Sequence, residues 1–501
     1  MVAIYSVAAF VVLPEMYTDS AYGFLVWDSM LRGASFNDWH LPDFADISHY
    51  QNLFMAVWSP GQYLFAGPLE WAGLSLGAAM NTVTTVFAAL GLLGWYRLYR
   101  SWNFPAASAV LALAITAGSR HFALPFGIYN GGEVLLFGGM PWFLLLLGRS
   151  AALAPRQVIA LLAALVAVAF LKLSGIVFAL AALAAVVVYD LWPVRGIEWR
   201  RPLTAAAMAI AFMAALYFFW ISRGWTAIEA KNGAAWASLL PRFLEGWAAA
   251  VMAMFSLGDL AARILQRPGQ QMLQNLDGVY LIAGVPALAL LVWGGRRLRM
   301  SHPEYVRFAA ATAVLYVAAM ALIYAKGGAL LMEDRFYRPL ALVLLIGIVH
   351  AVAGARPAVR LPLGALAAAT MVYGISSYIV RLQHNLQAPL GSRGFHHGTL
   401  THDGLALMRR ELQGADGGTV VWTLMPEIAL EVRGARVLVN AGIEQQLGLR
   451  TYKGRAKRVL VFVDELIIQD GRAEIVLKSF VDYDRTKWVA TKAGDTTLFA
   501  Q

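Results

Sequence analysis

Residues 157–190 read QVIALLAALVAVAFLKLSGIVFALAALAAVVVYD, an apolar run with a single charged residue before its last position. As one helix, at 1.5 Å per residue, the run would be about 50 Å long, whereas the hydrocarbon core of a bilayer is about 30 Å thick. The run is therefore predicted to form two membrane spans. Leu171-Lys172-Leu173-Ser174-Gly175 is the natural hinge between them.

The rest of the chain extends this pattern. Of its 501 residues, 59% are hydrophobic and 14% are charged, and the mean hydropathy is +0.60. Soluble domains contain about 25% charged residues, so a soluble globular class is excluded for most of the chain. Apolar segments of spanning length predict eleven spans, at 1–14, 74–96, 104–118, 134–148, 157–171, 174–190, 203–221, 278–294, 308–324, 339–354 and 361–380.

The basic residues between spans predict the orientation. They lie in alternate loops, at Arg97/Arg100, Arg149/Arg156, Arg195/Arg200/Arg201, Arg296/Arg297/Arg299/Arg307 and Arg356/Arg360. Such loops stay in the cytoplasm. Loops 15–60, 119–133, 222–277 and 325–338 and the C-terminal segment are then expected outside it, and the chain is expected in the inner (plasma) membrane.

Insertion bias accounts for much of the net charge of +10, so a nucleic-acid partner is not expected.

The two ends of the chain differ in character. Met1–Leu13 has no basic segment before it and no cleavage site, so we interpret it as a short first span whose true start lies upstream or whose helix is thin. Residues 1–380 form the predicted membrane domain and 381–501 a soluble α/β domain. The domain's predicted strands are Thr419–Leu424, Arg436–Asn440, Val459–Val463, Ile475–Phe480 and Thr496–Ala500, and its predicted helices are Asp403–Leu412 and Gly442–Leu449. The chain has no cysteine, which excludes disulfides and thiolate metal sites.

Polar chemistry is concentrated in the outer loops. Apart from His350, the predicted span interiors lack ionisable residues, and Lys172 lies at a boundary. An ion-coupled transporter would need such residues near the midplane of the membrane. The predicted outer loops instead hold these residues, with carboxylates mainly in the first loop and cations mainly in the later ones. A carboxylate that accepts a hydroxyl proton, with cations facing a departing phosphate, suits transfer of a sugar from a phosphate.

Five stretches, in order, resemble the GT-C superfamily of polyprenyl-phosphate-dependent glycosyltransferases, especially the protein O-mannosyltransferase and lipid A aminoarabinose transferase branch. The stretches are YTDSAYG at 17–23 followed by LRG at 31–33, VWSPGQY at 57–63, SRH at 119–121 with NGGE at 130–133, LKLSG at 171–175, and EDRFYRP at 333–339. The second departs from the family's His-Pro-Pro or Lys-Pro-Pro signature at Ser59, and the first keeps one acid of a pair.

The resemblance implies a set of site residues. Asp19 is the expected catalytic base, and Asp28 is a second candidate. If the segment is helical, their spacing of nine residues is 900°, which places Asp28 on the opposite face. Substrate contacts are expected from Arg120, His121, Lys172, Glu333, Asp334, Arg335 and Tyr337. A divalent cation held by Asp19 and Glu133 is also possible, because hard cations prefer oxygen ligands.

Each residue also has a structural interpretation. Asp19 is also compatible with a solvated helix cap, Lys172 with a side chain that extends from a helix end to the membrane surface, and the charges at 333–335 with an ordinary charged loop. The expected function is inverting transfer of a hexose or pentose from a polyprenyl-phosphate donor to a glycan, lipid or protein acceptor outside the cytoplasm. A lipid or polysaccharide transporter and a non-catalytic envelope-assembly component are the alternatives.

Overall fold

The computed structural model of the chain describes residues 1–150, 153–190, 200–224, 238–258, 260–261, 277–326, 333–439, 451–469 and 471–501. The predicted basic residue Arg195, the predicted helix Gly442–Leu449 and parts of loops 222–277 and 325–338 lie outside the described residues.

Helices dominate the first 387 residues and strands the remainder. The helices of the first part are α1 (Val2–Val11), α2 (Thr18–Leu31), α3 (Gly61–Leu64), α4 (Gly67–Trp71), α5 (Leu76–Ser101), α6 (Ala106–Gly118), α7 (Arg120–Ala123), α8 (Gly132–Arg149), α9 (Pro155–Leu171), α10 (Gly175–Asp190), α11 (Arg200–Phe219), α12 (Leu239–Met254), α13 (Asp277–Leu298), α14 (Pro303–Ala325), α15 (Asp334–Ala353) and α16 (Pro357–Gln387). Four strands lie among them: β1 (Glu15–Met16), β2 (Asp38–Pro42), β3 (Tyr50–Phe54) and β4 (Ile128–Tyr129).

Every predicted span is helical, which confirms a polytopic membrane protein. In the part of the chain that the structure describes, seven helices are long and apolar enough to cross a membrane, namely α5, α8, α11 with its short extension, α13, α14, α15 and α16. Helices α6 and α7 form a pair bent by 67°, and α1, α9 and α10 are shorter apolar helices. Lys172 is extended (φ −163°, ψ 121°) between α9 and α10, so the chain breaks at the predicted hinge.

Burial distinguishes the inner helices from those that face lipid. Helix α15 is the most enclosed, with 72% of its apolar window buried, whereas the value for α11 is 17%. Helix α11 exposes Ile210, Phe218 and Phe219, as expected of a surface that lipid covers. Loop 222–277, predicted without a span, contains α12, which packs against α13, α14 and α15 and buries Glu245 and Trp247.

The C-terminal part is the expected α/β domain. Its elements are helices α17 (His402–Glu411), α18 (Pro426–Ala429), α19 (Glu465–Gln469) and α20 (Arg472–Ser479), and strands β5 (Thr419–Thr423), β6 (Arg436–Val439), β7 (Arg458–Asp464), β8 (Val489–Ala493) and β9 (Thr496–Ala500). The sheet order is β6-β5-β7-β9-β8; β5 is parallel to both β6 and β7, and β9 is antiparallel to β7 and β8. Helix α16 continues to Gln387, past the predicted boundary at residue 380.

One strand prediction was wrong and one strand was missed. Ile475–Phe480 was predicted as a strand, but residues up to Ser479 belong to helix α20. Within it, Ala473 and Val476 are buried at a helical spacing, and Lys478 pairs with Glu474 one turn away at 2.5 Å. Strand β8 was missed because its sequence, VATKA, is largely exposed at the sheet edge and carries little hydrophobic signal.

The loop after the first helix, residues 15–60, joins the two parts. Strands β2 and β3 form an antiparallel hairpin, and the residues at its tip reach the C-terminal domain. Ile47 is fully buried among core residues of that domain, and its N–H donates to the Lys453 carbonyl at 2.9 Å. The α/β domain is therefore fixed to the same loop that contains Asp19.

Candidate functional site

Helix α2 places Asp19 in its first turn. Tyr17 is extended (φ −79°, ψ 142°), so the helix begins at Thr18. The N–H of Tyr17 donates to the Tyr129 carbonyl at 3.0 Å, beside the short parallel pair of β1 and β4. This pairing brings the start of α2 next to the start of α8. A carboxylate in a first helical turn is also favoured by the helix dipole.

A glycine turn places Glu133 at the start of α8. Gly131 adopts φ +50°, and a Cβ there would lie 3.0 Å from the Gln62 side chain and 3.2 Å from Ser20 Oγ. A larger residue would therefore be both strained and crowded. Helix α8 starts at Gly132, so Glu133 lies in its first turn and faces the hinge between α9 and α10. Lys172 extends from that hinge and forms an ion pair with Glu133.

Arg335 lies between the carboxylates. Its NH1 is 3.8 Å from Asp19 Oδ2 and 3.9 Å from Glu133 Oε1, and its Nε is 2.5 Å from Glu333 Oε2. The ring centroid of the adjacent Phe336 is 5.0 Å from the Arg335 guanidinium carbon and 5.9 Å from Lys172 Nζ, distances suited to cation–π contact. The structure thus gathers three acids and two cations from the starts of four separate segments.

A second group of polar residues adjoins the first. His121 Nε2 lies 3.1 Å from Asp334 Oδ2, and Arg338 NH2 lies 2.7 Å from His121 Nδ1. Because Arg338 can only donate, His121 Nδ1 accepts and Nε2–H donates to Asp334. The bend between α6 and α7 makes this contact with α15 possible, and Arg120 occupies the same short helix.

A cavity with about 790 Å³ of empty space, partly open to solvent, adjoins both groups. Its polar lining lies near the starts of α7, α8 and α15 and at the hinge: Ser119, His121, Glu133, Lys172, Arg335 and Arg338. Further along α5, α8, α12 and α15 the lining is apolar and includes Trp95, Phe137, Met140, Met254, Leu342 and Leu345. The arrangement suits a ligand with an anionic head and an apolar body.

The electrostatic environment favours a base at Asp19. Burial raises the pKa of the Asp19 carboxyl, the Arg335 guanidinium opposes that rise, and Glu133 adds to it. Burial likewise raises the pKa of Glu333 at the cap of α15. A carboxylate with a raised pKa accepts a proton more readily than an ordinary aspartate.

Two predicted site residues lie apart from this cluster. Asp28 is also in α2, so its position half a turn from Asp19 and about 14 Å along the helix follows from helix geometry. Its Oδ2 accepts from Arg393 at 2.7 Å, and the same guanidinium forms two bonds to Glu70 at 2.8 and 2.6 Å. Tyr337 is fully buried in the bundle, with its ring centroid 5.5 Å from that of Tyr316.

The residues present do not form the proposed metal site. Among the described residues, no group of three or more His, Asp or Glu side chains is arranged to hold a metal ion. Arg335 already stands between Asp19 and Glu133, and Lys172 is bound to Glu133. A cation thus occupies the place that the predicted metal would take.

Sequence reasoning missed the role of the stretch at 57–63. The Trp58 ring stacks on Tyr22 of α2 with ring centroids 4.7 Å apart, and Ser59 Oγ accepts from the N–H of Leu173 in the hinge at 2.6 Å. Gly61 lies so close to Phe170 that a Cβ would be 2.6 Å from its carbonyl oxygen. The second motif, at 57–63, marked this stretch as part of the site. Its sequence alone did not show which residues it contacts.

Comparison with known proteins relates this geometry to a known fold. No family model matches the chain, and no curated protein sequence matches it. Solved structures do match, among them ArnT from Cupriavidus metallidurans in the apo state and bound to undecaprenyl phosphate. Each is 14% identical with a TM-score of 0.55. The matches cover 100% of this chain and 96% and 97% of the two ArnT chains. The chain therefore has an ArnT-like fold.

Proposed function

We propose that the chain is an inverting glycosyltransferase that moves a sugar from a polyprenyl phosphate to an acceptor hydroxyl outside the cytoplasm. One observation carries the proposal most directly: a cavity that is apolar along the helices and is lined at its polar end by Lys172 and Arg335, with Arg335 3.8 Å from Asp19. The fold supports it, because one ArnT structure holds undecaprenyl phosphate. The inner membrane is the expected location.

The residues suit a single displacement. The Asp19 carboxylate accepts the proton of the acceptor hydroxyl as its oxygen bonds to the anomeric carbon of the sugar. The bond between that carbon and the phosphate oxygen breaks, and its electron pair stays on the phosphate. Lys172 and Arg335 face the negative charge that develops there. Because one bond forms as one breaks on the opposite side, the anomeric configuration inverts.

Binding of undecaprenyl phosphate to the purified chain tests the first half of this proposal. Lys172→Met should weaken binding by about 10- to 100-fold, the range for a lost hydrogen bond to a charged group. Lys326→Met is the matched control, because Lys326 is exposed at the end of α14. Its binding should equal that of the wild type. Absence of wild-type binding, or equal losses in the two variants, would contradict a phosphate site at the hinge.

A measurement of sugar transfer tests the second half of the proposed function. The chain, reconstituted in vesicles, is supplied with undecaprenyl-phosphate-linked hexoses and pentoses and with an envelope lipid extract as acceptor. The expected product is a glycosylated acceptor, with free undecaprenyl phosphate released in equal amount. Binding of donor without any release would favour the transporter or assembly alternatives.

Orientation has a separate test. We propose that the C-terminal domain lies on the non-cytoplasmic side. The chain has no native cysteine, so single cysteines can be placed at the exposed positions Ser392 and Ser301 and labelled in intact cells. An impermeant maleimide should label the first and spare the second. The reverse pattern would show that the orientation is inverted.

A further inference from the structure

The break between α9 and α10 leaves one backbone N–H without a partner in its own helix. Helix α9 ends at Leu171, and the Lys172 N–H still donates to the Val168 carbonyl at 2.9 Å. Lys172 itself is extended, with φ −163° and ψ 121°, so the hydrogen-bond pattern of α9 stops there. A backbone N–H that is shielded from water requires a partner, and the Leu173 N–H must find one outside the helix.

Ser59 supplies that partner. Its Oγ accepts the Leu173 N–H at 2.6 Å, and the residue is 2% exposed. The two residues are 114 positions apart in sequence, so the bond joins loop 15–60 to the hinge. Ser59 is also the position at which this stretch departs from the proline of the family signature, and proline has no side-chain oxygen. The acceptor is therefore a feature of this chain's own sequence.

Two further contacts from the same segment support the end of α9. Gly61 packs so closely on Phe170 that a Cβ would be 2.6 Å from the Phe170 carbonyl oxygen. The Phe65 ring meets the Phe170 ring edge-on, with ring centroids 6.0 Å apart. Segment 59–65 thus forms a support against which the hinge is packed.

The residue that this support holds in place is the one that reaches the cavity. The Lys172 side chain passes over the start of α8, where a Cβ on Gly132 would be 3.2 Å from Lys172 Cδ, and it forms an ion pair with Glu133. Lys172 and Glu133 both line the cavity. Because Ser59 holds the amide directly after Lys172, a different hinge conformation would change where the lysine side chain points.

We propose that Ser59 is a positioning residue for donor binding: its hydroxyl oxygen holds the hinge in the extended form that places Lys172 at the polar end of the cavity. The inference rests on the proposed function, in which Lys172 faces the phosphate of the donor. Without the bond, the hinge adopts other forms for part of the time, and the apparent affinity falls in proportion to the fraction that stays competent. Ser59 contacts neither the sugar nor the phosphate in this role.

Ser59→Ala removes the acceptor oxygen and leaves a smaller side chain in the same space. The dissociation constant for undecaprenyl phosphate should rise by about 2- to 10-fold, the range for one neutral hydrogen bond. Ser29→Ala is the matched control, because Ser29 is also buried and its Oγ accepts the His40 N–H at 3.0 Å within the same loop 15–60. The binding of this control should equal that of the wild type.

A double variant separates positioning from general structural support. Once Lys172→Met has removed the cation, adding Ser59→Ala should weaken binding no further, so the two losses should be strongly non-additive. Additive losses, or equal losses in Ser59→Ala and Ser29→Ala, would overturn the inference.

Hydrogen exchange tests the hinge without any ligand. In Ser59→Ala the amides of residues 171–175 should exchange about 2- to 10-fold faster than in the wild type, because the Leu173 N–H has lost its acceptor. In Ser29→Ala they should exchange at the wild-type rate. Unchanged exchange in Ser59→Ala would overturn the inference. A wild-type chain that binds no undecaprenyl phosphate would instead overturn the proposed function, and faster exchange in Ser59→Ala would still support the role of Ser59 in holding the hinge.

Discussion

The two ends of helix α2 each carry a partly buried aspartate next to an arginine, and they differ in how completely the charges are paired. At the far end, Arg393 forms close hydrogen bonds to Asp28 and to both oxygens of Glu70. At the near end, Arg335, which lines the cavity, approaches Asp19 only to 3.8 Å, and Asp19 keeps 38% of its side chain exposed. An arginine that is hydrogen bonded closely to two carboxylates, as Arg393 is, indicates a structural connection. An arginine that stays at a distance from its aspartate beside a cavity, as Arg335 does, leaves charge available for a substrate.

The position of Arg393 explains the role of the Asp28–Arg393–Glu70 cluster at the C-terminal end of α2. It lies in the segment between α16 and the α/β domain, is 8% exposed, and reaches back to α2 and α4. Bidentate pairs of this kind specify geometry as well as adding energy. We infer that this cluster fixes the α/β domain over the first loop, and so fixes the direction of the helix that carries Asp19.

Arg393→Met should have the largest effect on folding. It leaves Asp28 and Glu70 without their cation, and removing one partner of a buried ion pair typically costs about 3–5 kcal/mol. The melting temperature of the purified chain should fall clearly. Arg32→Met, at the exposed end of the same helix, should leave it unchanged. Equal melting temperatures in all three proteins would remove the distinction between the two ends.

Arg335→Met should show the opposite pattern, a large loss of transfer with a small change in stability. Transfer should fall by about 100- to 1,000-fold, the range for one lost electrostatic contact in a transition state. The melting temperature should change much less than in Arg393→Met, because the one close ion pair of Arg335, with Glu333, is more exposed than the pairs of Arg393. Arg356→Met removes an exposed arginine from α16's cap and serves as the charge control. Unchanged transfer in Arg335→Met would exclude it from the site.

The pH dependence of transfer should also distinguish Arg335 from Arg393, by a smaller effect than the loss of transfer itself. Arg335 opposes the burial that raises the pKa of Asp19, so its loss raises that pKa further. Transfer needs the ionised carboxylate and is lost as pH falls through this pKa. The acidic limb should therefore move to higher pH in Arg335→Met and stay in place in Arg393→Lys. A shift of equal size in both variants would indicate a general field effect.

The smallest effects should come from the other acids of the first loop. Asp38 lies at the start of the β2 strand, and Asp43 accepts the Ala45 N–H in a local turn. Asp38→Asn and Asp43→Asn should each change transfer by less than about 2-fold, since isolated surface changes are nearly neutral. Losses comparable with those at Asp19 would mean that the total charge of the loop matters more than one carboxylate.

Sequence reasoning predicted the features that depend on local composition. Hydropathy located the spans, and a single lysine in an apolar run located the hinge. The segments of the five motifs pack around the cluster in space, and most of the predicted site residues belong to it. These features were accessible because the bilayer constrains span length and because costly polar groups concentrate where they function.

The missed features depend on contacts between distant residues. Asp28 and Arg393 are 365 positions apart, and periodicity within either segment carries no information about their pairing. The stacking of Trp58 on Tyr22 similarly depends on how the segment after β3 folds back onto α2. Helix α20 was mistaken for a strand because β-branched residues in a short apolar run suit both structures, and only packing against the sheet decides.

The most direct test compares Asp19→Asn with Asp28→Asn in the same helix. Each change removes one negative charge and keeps the size of the side chain. Transfer and melting temperature should be measured on both proteins in the same lipid. The account predicts that Asp19→Asn lowers transfer by on the order of 100-fold or more, as expected for loss of a general base, while its melting temperature stays at the wild-type value. Asp28→Asn should lower the melting temperature and affect transfer much less. Full transfer by Asp19→Asn, or a larger loss of transfer in Asp28→Asn, would contradict the assignment of the base.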